Sequence, residues 1–248
     1  ENIIDLIASN GARLENEVSM YLNSEISKIV NANEVFEALS RGYSKYSDIL
    51  SKSHVSSGPT LIDVLDKLIR MDLVSKTSPI NDSSNKKKFR YYISDNLSLF
   101  YYKYIFKYSS QLKIMDSNIF YDKYILKDFE EQYVPHIFER ICTQFLIRQN
   151  KSGLIDPVFE KIGKYYYDNP KEHRNGEFDV VTEDALGYVF YEAKFRKDVI
   201  TDKIIDEEIK QVNMTGLNCY KYVFISRSGF SCTPKDNVQL IDLKQLFE

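Results

Sequence analysis

The sequence of 248 residues contains no tryptophan and only nine glycines, six prolines and three cysteines. So little glycine and proline excludes a collagen-like chain, and three scattered cysteines exclude a disulfide scaffold and argue against a structural zinc site. No apolar run approaches the roughly 20 residues that a membrane-spanning helix needs. The chain also lacks a G-x-x-x-x-G-K-[ST] motif, so it has no P-loop for the phosphates of ATP. These absences predict a cytoplasmic protein with no membrane partner.

Aromatic residues are abundant, with 19 tyrosines and 15 phenylalanines, and hydrophobic residues make up 43% of the chain. This composition can bury a large core and is typical of a globular protein, and the length favours two domains. Because the formal net charge is −3, any contact with nucleic acid has to come from a local basic surface.

The first part of the chain has the apolar spacing of short helices. Residues 1–31 predict a helical pair, and residues 32–94 predict three helices followed by a two-stranded hairpin, the plan of a winged helix-turn-helix. Lys86, Lys87 and Lys88 lie at the tip of this wing, in a polar segment expected to be flexible. There they would bind the phosphates of nucleic acid. The alternative is a solvated tip on a module that binds protein or its own chain.

Residues 95–130 form a predicted helical connector rich in tyrosine and phenylalanine. We expect these rings to pack at the junction between the two halves, with stacking on nucleic acid bases as the open alternative. From residue 131 the pattern changes to that of an α/β domain, placed at 131–248. Its predicted order is a helix, three antiparallel strands, a second helix and short buried strands.

Acidic and basic residues cluster on two of these strands. If the turn occupies residues 184–187, Asp179 faces Glu192, and the period of two places Glu177 and Lys194 on the same face. The opposite face then carries Phe178, Val180, Tyr191, Ala193 and Phe195. A like-charged pair is unfavourable unless a positive group offsets it, and the candidates are Lys194 and a divalent cation such as Mg²⁺ or Mn²⁺. The alternative is an ordinary solvated face of a sheet.

Two short segments, 178–181 (Phe-Asp-Val-Val) and 191–195 (Tyr-Glu-Ala-Lys-Phe), resemble the core of PD-(D/E)XK nucleases, with Glu139 on the preceding helix. More widely, residues 32–248 resemble the C-terminal region of archaeal and bacterial AAA-type P-loop ATPases. In that family a winged helix is followed by a nuclease-like domain of unknown function, and residues 1–31 resemble the last helices of the ATPase lid. The segments that match in order are Tyr92-Ile93-Ser94-Asp95, Phe138-Glu139, Ile162-Gly163 and Gly176-Glu177-Phe178-Asp179.

This resemblance implies a restriction-endonuclease-like α/β fold and the hydrolysis of a nucleic acid phosphodiester, in DNA or RNA. Asp179, Glu192 and the carbonyl group of Ala193 would hold Mg²⁺ or Mn²⁺. Lys194 would orient or deprotonate the attacking water and stabilise developing negative charge.

The resemblance also implies roles for Glu139 and Gln211. Glu139 would reach the metal through water or hold a second ion, and Gln211 would position the water or Lys194. The alternatives are a carboxylate at the border of a helix and an ordinary polar helix position. Position 215 is threonine, so the Gln-x-x-x-Tyr pattern of the RecB-like group is incomplete.

The functional hypothesis is a metal-dependent nuclease-like module of a truncated ATPase, with the ATPase domain expected upstream in the full-length protein. The alternative is a catalytically inactive nuclease fold that regulates the ATPase or binds nucleic acid or protein. A third hypothesis assigns specific DNA binding to the winged helix. The sequence leaves open whether the chain is an enzyme.

Overall fold

Helices and strands mix along the whole chain in the computed structural model, which describes residues 2–26, 28–169 and 174–247. The protein has a mixed α/β architecture, so the sequence prediction is confirmed at the level of fold class. No described helix is long and apolar enough to cross a membrane.

The described secondary structure consists of α-helices, β-strands and short π-helical and 3₁₀-helical segments. The helices are α1 (Asn2–Leu6), α2 (Arg13–Ile26), α3 (Ala32–Ser40), α4 (Tyr46–Lys52), α5 (Gly58–Arg70), α6 (Asn96–Phe100), α7 (Ser109–Ile114), α8 (Ser117–Tyr121), α9 (Val134–Lys151) and α10 (Asp202–Met214). The strands are β1 (Val74–Thr77), β2 (Arg90–Ile93), β3 (Lys161–Asn169), β4 (Arg174–Asp184), β5 (Gly187–Lys194), β6 (Ile200–Thr201), β7 (Cys219–Ser226), β8 (Phe230–Ser231) and β9 (Val238–Asp242).

The chain divides into two units. Unit 1 comprises Glu1–Thr77 and Asn85–Phe129, and unit 2 comprises Ser78–Ser84 and Glu130–Glu248. The structure therefore places Ser78–Ser84 with unit 2, whereas the sequence predicts that the segment lies inside the 32–94 module.

Hydrogen bonds along β3 explain why this segment belongs to unit 2. Ile80 N donates to Lys164 O at 2.8 Å. The side chain of Asn81 donates to Tyr166 O at 2.7 Å and accepts from Tyr166 N at 3.1 Å. The polar composition of this stretch predicts flexibility, but Asn81 uses its amide group to satisfy the backbone of a strand.

The helices of unit 1 pack through the apolar stripes that the sequence spacing predicts. The i, i+3, i+4, i+7 positions of α5 are buried, and Ser57 caps the helix by accepting a hydrogen bond from Thr60 N. The buried side chains of α3 and α5 are Ala32, Val35, Phe36, Ala38, Leu39, Ser40, Leu61, Val64, Leu65 and Leu68. β1 then pairs antiparallel with β2, with Val74 opposite Ile93.

The aromatic connector is helical, and its large rings are part of the core. It alternates α-helical turns with π-helical segments, for example at Tyr101–Ile105. Tyr102 stacks on Phe36 with ring centroids 4.7 Å apart and donates a hydrogen bond to Asn33 Oδ1 at 2.6 Å. Tyr102 and Tyr104 are buried, so these two rings pack in the core and do not stack on nucleic acid bases.

The main sheet of unit 2 is mixed and has five strands, with a helix packed on each face, and β6 pairs parallel with β8 in a separate two-stranded sheet. The strand order is β3-β4-β5-β7-β9; β3, β4 and β5 are antiparallel, and β5, β7 and β9 are parallel. Phe138 and Cys142 of α9 pack with Tyr191 on one face. Ile205 and Val212 of α10 belong to the other core. Successive side chains of β5 point to opposite faces of the sheet, and Phe190 belongs to the α10 core. Glu192 and Lys194 therefore lie on the α10 face.

A bulge in β4 changes the predicted distribution of side chains. Opposite Lys164 the register shifts, and two residues of β4, Asp179 and Val180, face this single residue of β3. A bulge interrupts the period of two. Phe178 therefore packs with Phe190 on the α10 side, whereas Val180 packs on the α9 side. The predictions that Phe178 and Val180 share a face, and that Glu177 lies on the face of Lys194, are wrong for this reason.

The turn between β4 and β5 depends on Gly187, which has φ of +136°. An added Cβ would lie 2.9 Å from the backbone oxygen of Asn218. We expect Gly187→Ala to lower the free energy of unfolding of unit 2 by about 2 kcal/mol, measured by circular dichroism. Gly216→Ala is the control, since Gly216 also has positive φ but its Cβ would meet no described atom within 4 Å. Equal losses in the two variants would contradict a steric origin.

Candidate active site

Lys194 Nζ lies between two carboxylates. It is 2.5 Å from Oε1 of Glu192 on the same strand and 2.8 Å from Oε1 of Glu208 on α10. All three side chains are only 21–23% exposed. Burial by itself would lower the pKa of Lys194, but the charge of Glu192 and the hydrogen bonds to both carboxylates outweigh it and raise this pKa. Lys194 is therefore protonated at neutral pH.

The carboxyl group of Glu192 has a pKa raised to about 7. Burial is the main cause, because it penalises the charged form. Lys194 counteracts burial, while the charges of Glu208 and Asp179 raise the pKa further. The pKa of Glu192 is thus raised mainly because its charged form is poorly solvated.

A second group of ion pairs surrounds Asp179. Lys164 Nζ on β3 lies 2.8 Å from Oδ1 of Asp179 and 2.8 Å from Oε1 of Glu177. Asp179 is 48% exposed, so its carboxylate is accessible from solvent. The charge of Asp179 makes a small contribution to the raised pKa of Glu192.

The chemistry of this donor set suits a hard divalent cation. Asp179, Glu192 and the Ala193 carbonyl are oxygen donors, and lysine contacts Oδ1 of Asp179 and Oε1 of Glu192. Among the described residues, no group of three His, Cys, Asp or Glu side chains is placed to hold a metal ion. Mg²⁺ is often bound by one or two carboxylates and completed by water and substrate phosphates. The donor chemistry suits an ion of this kind, but the described side chains alone do not form a metal-binding group, and Lys164 and Lys194 already contact the two carboxylates.

Glu139 and Gln211 lie on the two helices that cover the sheet. Glu139 is on α9, with Oε2 3.7 Å from Nδ1 of His136. Gln211 is on α10, one turn after Glu208, and its side chain donates to the hydroxyl of Tyr167 at 3.0 Å. Gln211 thus contacts an aromatic residue of β3. The residue of α10 that contacts Lys194 is Glu208.

The predicted nucleic-acid-binding lysines lie in unit 1. Lys86–Lys88 form a 3₁₀ turn after Asn85, whose Oδ1 accepts a hydrogen bond from Lys87 N at 3.1 Å. Lys86 and Lys87 are exposed, and Lys88 is partly buried.

The sequence does not predict two of the residues in this cluster, Lys164 and Glu208. Lys164 comes opposite Asp179 only through the β3–β4 register and its bulge, which no local pattern specifies. Glu208 could have been found, because it precedes Gln211 by three residues on the predicted helix and so lies on the same face.

Three comparisons relate this chain to other proteins. The family model DUF234, described as archaeal and bacterial proteins of unknown function, matches residues 101–212. Uncharacterized protein MJECL04 of Methanocaldococcus jannaschii is 28% identical over 237 residues, which are 93% of this chain and 51% of that protein. The chain thus spans about half the length of this curated relative. The crystal structure of protein VC1899 from Vibrio cholerae aligns over 96% of this chain and 55% of that chain, with 12% identity and a TM-score of 0.29.

Proposed function

We propose that unit 2 is a metal-dependent nuclease-like module that hydrolyses phosphodiesters of DNA or RNA. The observation that supports this proposal is that Asp179, Glu192 and Lys194 lie on the paired strands β4 and β5, with the carboxyl pKa of Glu192 raised to about 7. A carboxyl group whose pKa is raised by burial beside a specific charged partner is typical of functional sites. The PD-(D/E)XK resemblance of this hairpin is part of the proposal.

Asp179, Glu192 and the Ala193 carbonyl would hold Mg²⁺ or Mn²⁺, which supplies an activated water and offsets charge on the phosphate. Lys194 is protonated, because two carboxylates hold its ammonium group. Its role in the proposal is therefore to orient the water and stabilise the developing charge, and it does not act as the base. Glu208 is a positioning residue that fixes the Lys194 amine.

For the whole protein, we propose a winged helix in unit 1 and an ATPase domain upstream. Three helices, α3 to α5, followed by the antiparallel β1–β2 hairpin support the winged helix. The greater length of the relative from Methanocaldococcus jannaschii, of which this chain covers 51%, leaves room for a further domain.

A second candidate function is a catalytically inactive nuclease fold with a regulatory or binding role. The observation that favours it is that lysines already neutralise the carboxylates, Lys164 at Asp179 and Lys194 at Glu192. In this case the ion pairs would replace the metal and hold the hairpin together.

Cleavage assays separate the two candidates. Wild-type protein is incubated with single-stranded and double-stranded DNA and RNA, in Mg²⁺, Mn²⁺ or EDTA. We expect cleavage only with metal, and a decrease of about 10²–10³-fold for Asp179→Asn, because the carboxylate loses its charge. Glu183→Gln is the matched control, since Glu183 lies on the same strand and pairs with Lys161 of β3 at 2.7 Å. Absence of cleavage under all conditions, with nucleic acid binding unchanged by Asp179→Asn, would favour the inactive module.

A further inference from the structure

A groove in unit 1 lies between the start of α4, the exposed side of α5 and the β1–β2 hairpin. Its volume is about 720 Å³, which is within the usual range for sites of small ligands and nucleotides. Four lysines contribute to its lining, and they come from three separate parts of the fold. These residues are Lys45, Lys76, Lys86 and Lys87, all exposed.

Aromatic rings form part of the same groove. Tyr46, Phe89 and Tyr91 line it and are partly buried. Lys76 Nζ lies 4.3 Å from the ring centroid of Phe89 and 5.9 Å from that of Tyr91. The cavity thus presents both ammonium groups and aromatic rings, which is the combination that binds phosphates and unpaired bases of single strands.

One carboxylate, Asp66 of α5, lies among these lysines. It is exposed in the groove, and its charge adds to burial in raising the pKa of Tyr91. Asp63, also on the exposed side of α5, is ion-paired with Lys67 at 2.7 Å. The carboxylate of Asp66 in the groove disfavours the closely spaced phosphates of a duplex. Against an unpaired base, Asp66 instead offers an acceptor for exocyclic amino groups.

We propose that this groove binds single-stranded nucleic acid, with lysines on the phosphates, bases stacked on Phe89 and Tyr91, and Asp66 facing a base edge. An acidic peptide would match the lysines, but it would leave Asp66 opposite further carboxylates and would not need the planar ring surfaces. The proposal concerns unit 1 and does not depend on nuclease activity in unit 2.

Binding is measured with the whole chain in EDTA, which separates it from any metal-dependent cleavage. Fluorescence anisotropy of labelled single-stranded DNA, single-stranded RNA and duplex DNA is followed over a range of salt concentrations. We expect the double variant Lys86→Ala/Lys87→Ala to bind single strands at least about 10-fold more weakly, and its salt slope to be smaller by about 1.4, since each phosphate contact contributes about 0.7. Phe89→Leu, which keeps apolar bulk, should lose about 5–10-fold.

Lys113→Ala is the matched control, because Lys113 is an exposed lysine of unit 1 outside the groove lining. It should bind like wild type, and circular dichroism checks that all variants fold. Asp66→Asn should increase duplex binding relative to single-strand binding, because one repulsive charge is removed. The relative affinities for the DNA and RNA strands identify the favoured sugar.

Several results would overturn the proposal. One is equal binding by Lys113→Ala and the double lysine variant, and another is duplex binding as tight as that of single strands. Failure of wild type to bind either single strand would also overturn it. If an acidic peptide binds and loses affinity in the groove variants while oligonucleotides do not, the groove is a peptide site.

Discussion

Changing Lys194 to methionine is expected to lower metal-dependent cleavage by about 10²–10³-fold. Methionine keeps an unbranched side chain of similar length but has no charge to stabilise the phosphate. Since Lys194 is held protonated by Glu192 and Glu208, its contribution should be in the rate at saturating metal and substrate. The measurement is the initial rate of cleavage over a titration of Mn²⁺, compared with Lys194→Arg, which retains the charge.

The same change also affects folding, so the activity result needs a structural control. Without Lys194, the carboxylates of Glu192 and Glu208 face each other with no cation between them. Loss of one partner from a buried ion pair costs about 3 kcal/mol. Combining Lys194→Met with Glu208→Gln removes one of the two charges and should restore most of the stability. We expect this double variant to be folded and inactive, whereas Glu208→Gln alone should retain part of the activity.

Cleavage by the folded double variant at the wild-type rate would contradict the assigned role of Lys194. In that case the ammonium group is a structural partner of the two carboxylates, as in the inactive module. If excess Mn²⁺ restores the activity of the Lys194→Met variant, Lys194 instead contributes to the affinity for the metal.

The hairpin illustrates how far local sequence specifies this site. The turn residues fix its register, and Glu183 pairs with Tyr188 in the structure as the predicted turn length requires. Glu192 and Lys194 are two residues apart in β5, so the period-two pattern places them on the same face. Local alternation is a sufficient guide wherever a strand is regular.

The bulge at Asp179 cannot be predicted from local alternation. The position of the bulge depends on how β3 pairs with β4. This non-local pairing also brings Lys164 against Asp179. Helical spacing predicts that Glu208 lies on the same face of α10 as Gln211. Its contact with Lys194, however, depends on the packing of α10 against β5. The sequence thus predicts the acidic groups, while the cations that neutralise them depend on non-local contacts.

Changing Glu192 to glutamine is expected to stabilise unit 2 at about pH 8 and to have little effect at about pH 5, in EDTA. The pKa of Glu192 is about 7 in the folded protein, above its ordinary value of 4.5. Between these values the folded state holds a proton that the unfolded state has lost. Stability therefore falls as the pH rises from about 4.5 to about 7, by up to about 3 kcal/mol for this group. Glutamine resembles the protonated form at every pH.

Thermal unfolding followed by circular dichroism at a series of pH values measures the difference between wild type and variant, which cancels the contributions of other carboxylates. Glu208→Gln is the companion, because Glu208 raises the pKa of Glu192; in this variant the pH range over which stability falls should become narrower. A Glu192→Gln variant that is less stable than wild type at about pH 8 would mean that the ion pair with Lys194 outweighs burial. A stabilised variant would mean that the charged form of Glu192 costs the fold free energy, as expected for a carboxylate whose charge serves a ligand.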